Sequence, residues 1–178
     1  MKRVGVVVLV AAVLAVALPA GAATPAGGTV TKSKRTAKWK GGPFTVSDPV
    51  DPVGLGFPPE PSCSQDPMCD HFSLKVTLGE GARIEVKITT ANPNPPGSVG
   101  GVTSLQPITG DDYDVYVFDP NGILITGDKG ASEKGNEKVT FTHKKRFNGK
   151  AYDVAVRPWA VMPGSTYSGS ATVVAVGR

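Results

Sequence analysis

The chain has 178 residues, with 19 Lys and Arg against 15 Asp and Glu, which gives a net charge of +4. This length suits one hydrophobic core and is short for two domains. Gly and Pro are abundant, with 22 and 16 residues, and no stretch after the first 22 residues keeps a helical period. These features exclude a helical bundle and favour an all-β domain. So slight an excess of basic residues does not indicate a nucleic-acid partner.

The first 22 residues have the organisation of a secretory signal peptide. Lys2 and Arg3 form the positive region, residues 4–19 form an apolar stretch, and residues 20–22 (Ala-Gly-Ala) provide a small-residue cleavage pattern. We expect cleavage after Ala22, which removes two of the 19 basic residues and leaves 17 against 15 acidic ones. An uncleaved membrane anchor is the alternative, which the small residues before the cleavage point disfavour.

The segment after the cleavage point has the composition of a tail. Residues 23–37 are rich in Gly, Thr, Ser and Lys and predict a disordered basic leader. The single folded domain is therefore expected over residues 38–178, with a first short strand at about residues 38–46. Six prolines then make residues 47–68 a long surface connection.

Cys63 and Cys69 are the only cysteines in the chain. An even number of cysteines in an exported protein favours a disulfide bond, which here would close one short loop. A redox-active pair is the alternative, but the spacing is not C-x-x-C.

Two segments with alternating apolar residues follow. Residues 72–78 and 84–88 each place apolar side chains at every second position, which predicts two half-buried strands. We expect them to form an antiparallel hairpin across Gly79–Gly81. Residues 91–110 then break the pattern with four prolines and form a long loop, which in a compact domain is functional or mobile.

Residues 111–126 predict a strand, a tight turn and a second strand. Tyr113, Val115 and Val117 share one face of the first strand, because side chains alternate along a strand. The opposite face also becomes apolar after its acidic start, which is typical of a strand inside a sheet. Residues 119–122 (Asp-Pro-Asn-Gly) supply the turn chemistry.

Three more alternating segments complete the chain. Residues 138–143, 151–157 and 166–176 predict strands, and residues 159–165 predict a loop. The total of about eight strands fits a two-sheet antiparallel β-sandwich of jelly-roll type, in which long connections pass between the sheets. A closed barrel is the alternative.

Several of these segments resemble the bacterial pre-peptidase C-terminal domain family. Residues 69–76 (CDHFSLKV) are similar to its opening D-x-F-x-L-x-V strand, and residues 112–122 (DYDVYVFDPNG) resemble its D-x-D-hydrophobic-Y-hydrophobic-x-D/N-P-x-G signature. Residues 137–139 (EKV) and 149–156 (GKAYDVAV) resemble the later E-x-V and G-x-Y-x-V-x-V strands. The resemblance covers about residues 70–176.

The resemblance implies a β-sandwich that is usually attached to secreted proteases and other exported enzymes. In that family the domain is non-catalytic and is associated with secretion, solubility or substrate binding, and some members bind calcium and fibrous protein. This chain contains no peptidase domain, so the resemblance carries the fold more firmly than the role of accessory to a protease.

Four acidic residues are candidates for a metal site. Asp112 and Asp114 are two apart on a strand, so both carboxylates lie on one face, about 7 Å apart at Cα. With Asp111 beside them they could supply hard oxygen ligands to calcium, and Glu137 could complete the set if its strand lies adjacent. The alternative is that these are solvated acids at a strand start, or that Asp114 accepts a hydrogen bond across the sheet.

The sequence does not support catalysis. His71 and His143 are the only histidines, and neither a G-x-S-x-G motif nor an H-E-x-x-H motif is present. Hydrolysis needs a nucleophile, a base and an orienting group that converge. We therefore expect a non-enzymatic protein.

Other residues suggest contacts with ligands. Trp39 and Trp159, if exposed, could be ligand platforms, although core packing is the more frequent role of tryptophan. The basic residues of the leader and of residues 144–146 could attract acidic polymers, or could be a solvated tail and a charged turn that blunts edge pairing.

We therefore expect a secreted, non-catalytic accessory or binding module, acting as a monomer on an extracellular protein or polysaccharide through its loops at residues 91–110 and 159–165. A structural or adhesive cell-envelope protein held by the cationic leader is the alternative, and a small secreted hydrolase is a weaker one.

Overall fold

The computed structural model describes residues 23–45, 63, 68–92, 110–127 and 136–177. The predicted signal peptide lies outside these residues, as do most of the proline-rich connection and most of the 91–110 loop. The described strands are β1 (Gly27–Thr31), β2 (Thr36–Phe44), β3 (Asp70–Thr77), β4 (Arg83–Thr90), β5 (Asp112–Phe118), β6 (Leu124–Gly127), β7 (Lys138–Thr142), β8 (Ala151–Ala160) and β9 (Ser165–Ala175). One 3₁₀ turn, Lys145–Phe147, precedes β8.

The strands form two sheets packed face to face. One sheet has the order β1-β3-β8-β5-β6 and the other has the order β2-β9-β4-β7. All pairs are antiparallel except β1 with β3, which is parallel. This arrangement confirms the predicted β-sandwich. Phe72, Val115 and Val154 share one interior, where every second residue of each strand meets the facing sheet.

The predicted hairpin between residues 72–78 and 84–88 is wrong. Both segments are strands, β3 and β4, but they belong to different sheets. The chain turns at Gly81, which has a φ of +79°, and crosses from one sheet to the other. Within the described residues, β5 and β6 are the only consecutive strands that pair with each other. Alternation identified the strands but does not determine their neighbours.

The prediction of a disordered leader at residues 23–37 is also wrong. Residues 27–31 form β1 beside β3, and residues 36 and 37 already belong to β2. Val30 is completely buried, and Ala23 and Ala37 are in the same core. Small residues allow this packing: a Cβ added at Gly28 would lie 2.8 Å from the Phe72 ring. The folded domain therefore includes the basic segment, and β1 is the strand that the sequence did not predict.

β5 is buried on both faces, as its sequence predicts. It lies between β8 and β6, and Tyr113 points into the interior. Its outer face carries Tyr116 and Phe118, which pack with the disulfide between Cys63 and Cys69 in a second small core. The predicted disulfide is therefore present, and it covers part of the outer face of the five-stranded sheet.

The turn between β5 and β6 is built as predicted. Asp119 Oδ1 accepts hydrogen bonds from the backbone N–H groups of Asn121 and Ile123, at 2.8 and 3.2 Å. Gly122 has a φ of +78°, which side-chain-bearing residues adopt rarely. These bonds and this conformation bring β6 back alongside β5.

Candidate functional site

The outer face of the four-stranded sheet carries a row of lysines. In the register of the sheet, Lys38 of β2 lies opposite Ser170 of β9, Ser170 lies opposite Lys87 of β4, and Lys87 lies opposite Lys138 of β7. All three lysines are exposed. Neighbouring strands are about 4.8 Å apart, so the row extends about 14 Å across the sheet. We call the surface formed by Lys38, Lys40, Lys87, Lys138 and Ser170 the lysine face.

The lysine face forms because the outward positions of these strands are polar and the outward side chains of β9 are short. The outward residues of β9 include Ser168, Ser170 and Thr172, which have short side chains that end in hydroxyl groups. Lys38 and Lys40 border this strip on one side, and Lys87 borders it on the other. The result is a shallow trough lined with hydroxyl groups between two sets of ammonium groups.

The charges of the lysine face are only partly compensated. Lys138 lies 3.7 Å from Glu85, which is the only ion pair that the described residues form on this face. Lys87 and Lys138 are directly opposite each other, and like charges in that position destabilise a sheet. A bound polyanion would offset this repulsion, because its negative groups would lie between the positively charged lysines.

The two tryptophans are not an exposed pair of platforms. Trp39 is 2% exposed and stacks on Phe72, so the prediction that it is a ligand platform is wrong. Trp159 is partly buried and lies in β8 rather than in the predicted loop. The guanidinium of Arg157 lies 4.6 Å from the centroid of its ring. One face of the Trp159 ring is thus already occupied by a cation.

The four predicted metal ligands are all buried, and two of them have identified protein partners. Asp111 accepts hydrogen bonds from the Thr90 hydroxyl and from the backbone N–H of Met162, at 2.8 and 3.0 Å. Asp114 accepts one from the Tyr116 hydroxyl at 3.3 Å.

The other two acids belong to different elements. Asp112 begins β5, and a register shift separates it from Asp114. Glu137 precedes β7 in the other sheet and exchanges backbone hydrogen bonds with Ile88. In the part of the chain that the structure describes, no group of three or more His, Cys, Asp or Glu side chains could hold a metal ion. Calcium binding stays a prediction without an assembled ligand set.

The two histidines lie in different environments. His71 is on the outer face of β3, about one-third exposed, with Nδ1 2.9 Å from Asp153 Oδ2. His143 is completely buried, with Nδ1 2.9 Å from the Tyr152 hydroxyl, and burial lowers the pKa of its imidazole. The two imidazoles therefore do not share one site. The expectation that the protein is not an enzyme stays a prediction.

Alternation placed Lys87 and Lys138 in solvent, but it did not show that they meet. Their strands are separated by residues 91–137 in the chain and become neighbours only through the pairing of β4 with β7. Likewise, Lys38 and Lys40 lie on a strand as predicted, but the sequence did not show that β2 joins the same sheet as β4 and β7.

Comparisons with known proteins do not assign the chain to a family. No protein-family model matches it, and no curated protein is significantly similar to it. None of the described helices has the length and hydropathy required to cross a membrane.

Proposed function

We propose that the protein is a secreted, non-enzymatic β-sandwich that binds acidic polymers outside the cell through its lysine face. The observation that carries the proposal is the register that aligns Lys38, Lys87 and Lys138 across one exposed sheet face. A regular row of ammonium groups along a shallow, open trough suits a repeating anionic chain better than a small ligand, which is usually bound in a deep concave site.

Two further observations support the proposal. The disulfide between Cys63 and Cys69 is compatible with an oxidising compartment outside the cytoplasm. The resemblance of residues 70–176 to the pre-peptidase C-terminal family supports a non-catalytic accessory role in an exported protein. In this proposal the cationic N-terminal segment contributes through Lys38 and Lys40, as part of a folded surface rather than as a flexible tail.

Binding to a defined polyanion tests the proposal. Residues 23–178 are titrated with fluorescent dextran sulfate, and uncharged dextran is the ligand control. We expect the triple variant Lys38→Gln, Lys87→Gln and Lys138→Gln to bind at least tenfold more weakly, because three exposed charge contacts are worth up to about 1 kcal/mol each. Added salt should weaken wild-type binding more than it weakens binding of the triple variant.

A charge-matched control separates the lysine face from net charge. The triple variant Lys32→Gln, Lys75→Gln and Lys150→Gln removes the same charge from exposed positions off the lysine face. We expect it to bind within about twofold of wild type. If both triple variants lose the same affinity, attraction is non-specific and the lysine face is not the site.

A further inference from the structure

Asp70 is an acid on the inward row of a core strand. It starts β3, is 1% exposed, and precedes Phe72 on the same interior face. Its Oδ2 accepts a hydrogen bond from the Tyr167 hydroxyl at 2.5 Å, whereas its Oδ1 is buried without a hydrogen-bond partner in the described residues. Burial raises the pKa of this carboxyl to about 6. A carboxylate placed this way calls for a cation beside it, because an uncompensated buried charge is costly.

Asp70 packs tightly against a glycine of the neighbouring sheet, which leaves no space for a side chain there. Gly41 of β2 faces it, and a Cβ added there would lie 2.1 Å from Asp70 Oδ2 and 2.1 Å from the Tyr167 ring. The titratable groups near the carboxyl are Tyr167, Tyr113 behind it, and His71 on the opposite face of β3. Tyr167 and Tyr113 are neutral at physiological pH, because the ordinary pKa of a tyrosine hydroxyl is about 10 and burial raises it further in both.

The backbone N–H of Ala23 approaches the same carboxylate and favours its charged form. Ala23 is 3% exposed and belongs to the main core. Its position is held by the next residue, because Thr24 exchanges backbone hydrogen bonds of 2.7 and 3.0 Å with Lys40. This antiparallel bridge places Ala23 across from Gly41, the residue that lies against Asp70 Oδ2.

We propose that cleavage between Ala22 and Ala23 creates an α-ammonium group that pairs with the buried Asp70 carboxylate and completes the fold. Hydrolysis of this amide consumes one water, leaves a carboxylate on Ala22, and frees an amine on Ala23 that takes up a proton at neutral pH. The nitrogen at the carboxylate thereby changes from a neutral amide into a cation. The inference depends on the export that the proposed function requires.

This pairing links export to stability. A precursor that keeps its leader has only a neutral amide beside Asp70, so it folds with an uncompensated acid or a protonated one. The processed protein has a buried ion pair that Tyr167 also supports through its hydroxyl. Breaking such a pair by removing one partner is strongly destabilising.

A double-mutant cycle tests the inference. Residues 23–178 are prepared with a free Ala23 amine and with the same amine acetylated, each in wild type and in Asp70→Asn. We expect acetylation to lower the thermal midpoint of wild type by about 5–10 °C and to change the midpoint of Asp70→Asn by less than about 2 °C. Equal shifts in both backgrounds would overturn the pairing.

Two controls keep the inference separate from the proposed function. Mass spectrometry of the exported protein should give Ala23 as its first residue, and a different N-terminus would contradict the inference. Dextran sulfate binding is measured on the same four samples at a temperature where all are folded. If acetylation shifts the thermal midpoint equally with and without Asp70 while dextran sulfate binding is unchanged, this inference is wrong and the proposed function stands. If a folded sample loses dextran sulfate binding, that result counts against the lysine face as the binding site.

Discussion

The Trp39 indole stacks on the Phe72 ring, with centroids 4.0 Å apart and planes at 10°. Trp39 belongs to β2 and Phe72 to β3, so this contact joins the two sheets of the sandwich. The indole also lies directly against the backbone of Gly169 on the neighbouring strand β9. The stacking of Trp39 on Phe72 therefore requires glycine at position 169.

Gly169→Ala should destabilise the protein by about 1–3 kcal/mol, because overpacking forces core side chains from their preferred positions. A Cβ at this position would lie 2.1 Å from the Trp39 ring. Urea unfolding followed by tryptophan fluorescence measures the effect. Ser168→Ala, on the outer face of the same strand, is the control and should change the free energy of unfolding by less than about 0.5 kcal/mol. A Gly169→Ala protein as stable as this control would contradict the described packing.

Val30→Ala should cost about 2 kcal/mol, since it removes buried methyl groups and leaves a cavity. This variant tests whether β1 belongs to the core, because Val30 is completely buried there. Lys32→Ala, at an exposed position just after β1, is the matched control. Chemical unfolding of the two variants should separate them clearly. Equal stabilities would restore the interpretation of residues 23–37 as a tail.

Loss of the disulfide should lower the free energy of unfolding by about 2 kcal/mol, the value that the chain-entropy model gives for so short a loop. The bridge also packs on Tyr116 and Phe118. The double variant Cys63→Ala and Cys69→Ala should therefore match the reduced wild-type protein. A reducing agent should have no effect on the double variant. Reduction that leaves the wild-type midpoint unchanged would show that the bridge does not stabilise the fold.

Asp70 should make stability fall with rising pH in the acetylated protein. The pKa of this carboxyl is about 6 in the folded state against 3.8 as its ordinary value, so folding favours its protonated form. This contribution is complete below about pH 4 and is lost as pH rises through 6, with a size on the order of 3 kcal/mol. Thermal midpoints of acetylated wild type and acetylated Asp70→Asn between pH 4 and 7 measure it. Parallel profiles would contradict the assignment.

His143 should have the opposite effect. Burial lowers the pKa of its imidazole below 6.5, so the folded state favours the neutral form. Its contribution is present above pH 6.5 and is lost as pH falls through the folded-state pKa. His143→Gln, which does not titrate, should be less stable at pH 7 but lose less stability on acidification. If His143→Gln loses more unfolding free energy than wild type on acidification, the prediction is wrong. Fluorescence-detected urea unfolding at several pH values measures the difference.

Local patterns were sufficient to predict most strands. The alternation in residues 72–78 and 84–88 reflects one water-free face per strand, residues 113–118 are largely apolar on both faces, and each segment is a strand. Asp119 and Gly122 also predicted the tight turn, since the turn depends on bonds within a few residues. Composition gave the wrong prediction at residues 23–37, because small and polar residues are compatible with an edge strand such as β1 as well as with a disordered tail.

By itself the sequence determined the fold class, the disulfide partners and the side of each strand that faces the core, because these depend on neighbours in the chain. Only the tertiary structure decided that β3 and β4 lie in different sheets and that Lys38, Lys87 and Lys138 form one row. It also brought Ala23 to Asp70. Strand pairing joins residues that are far apart in sequence, and periodicity carries no information about which strands pair.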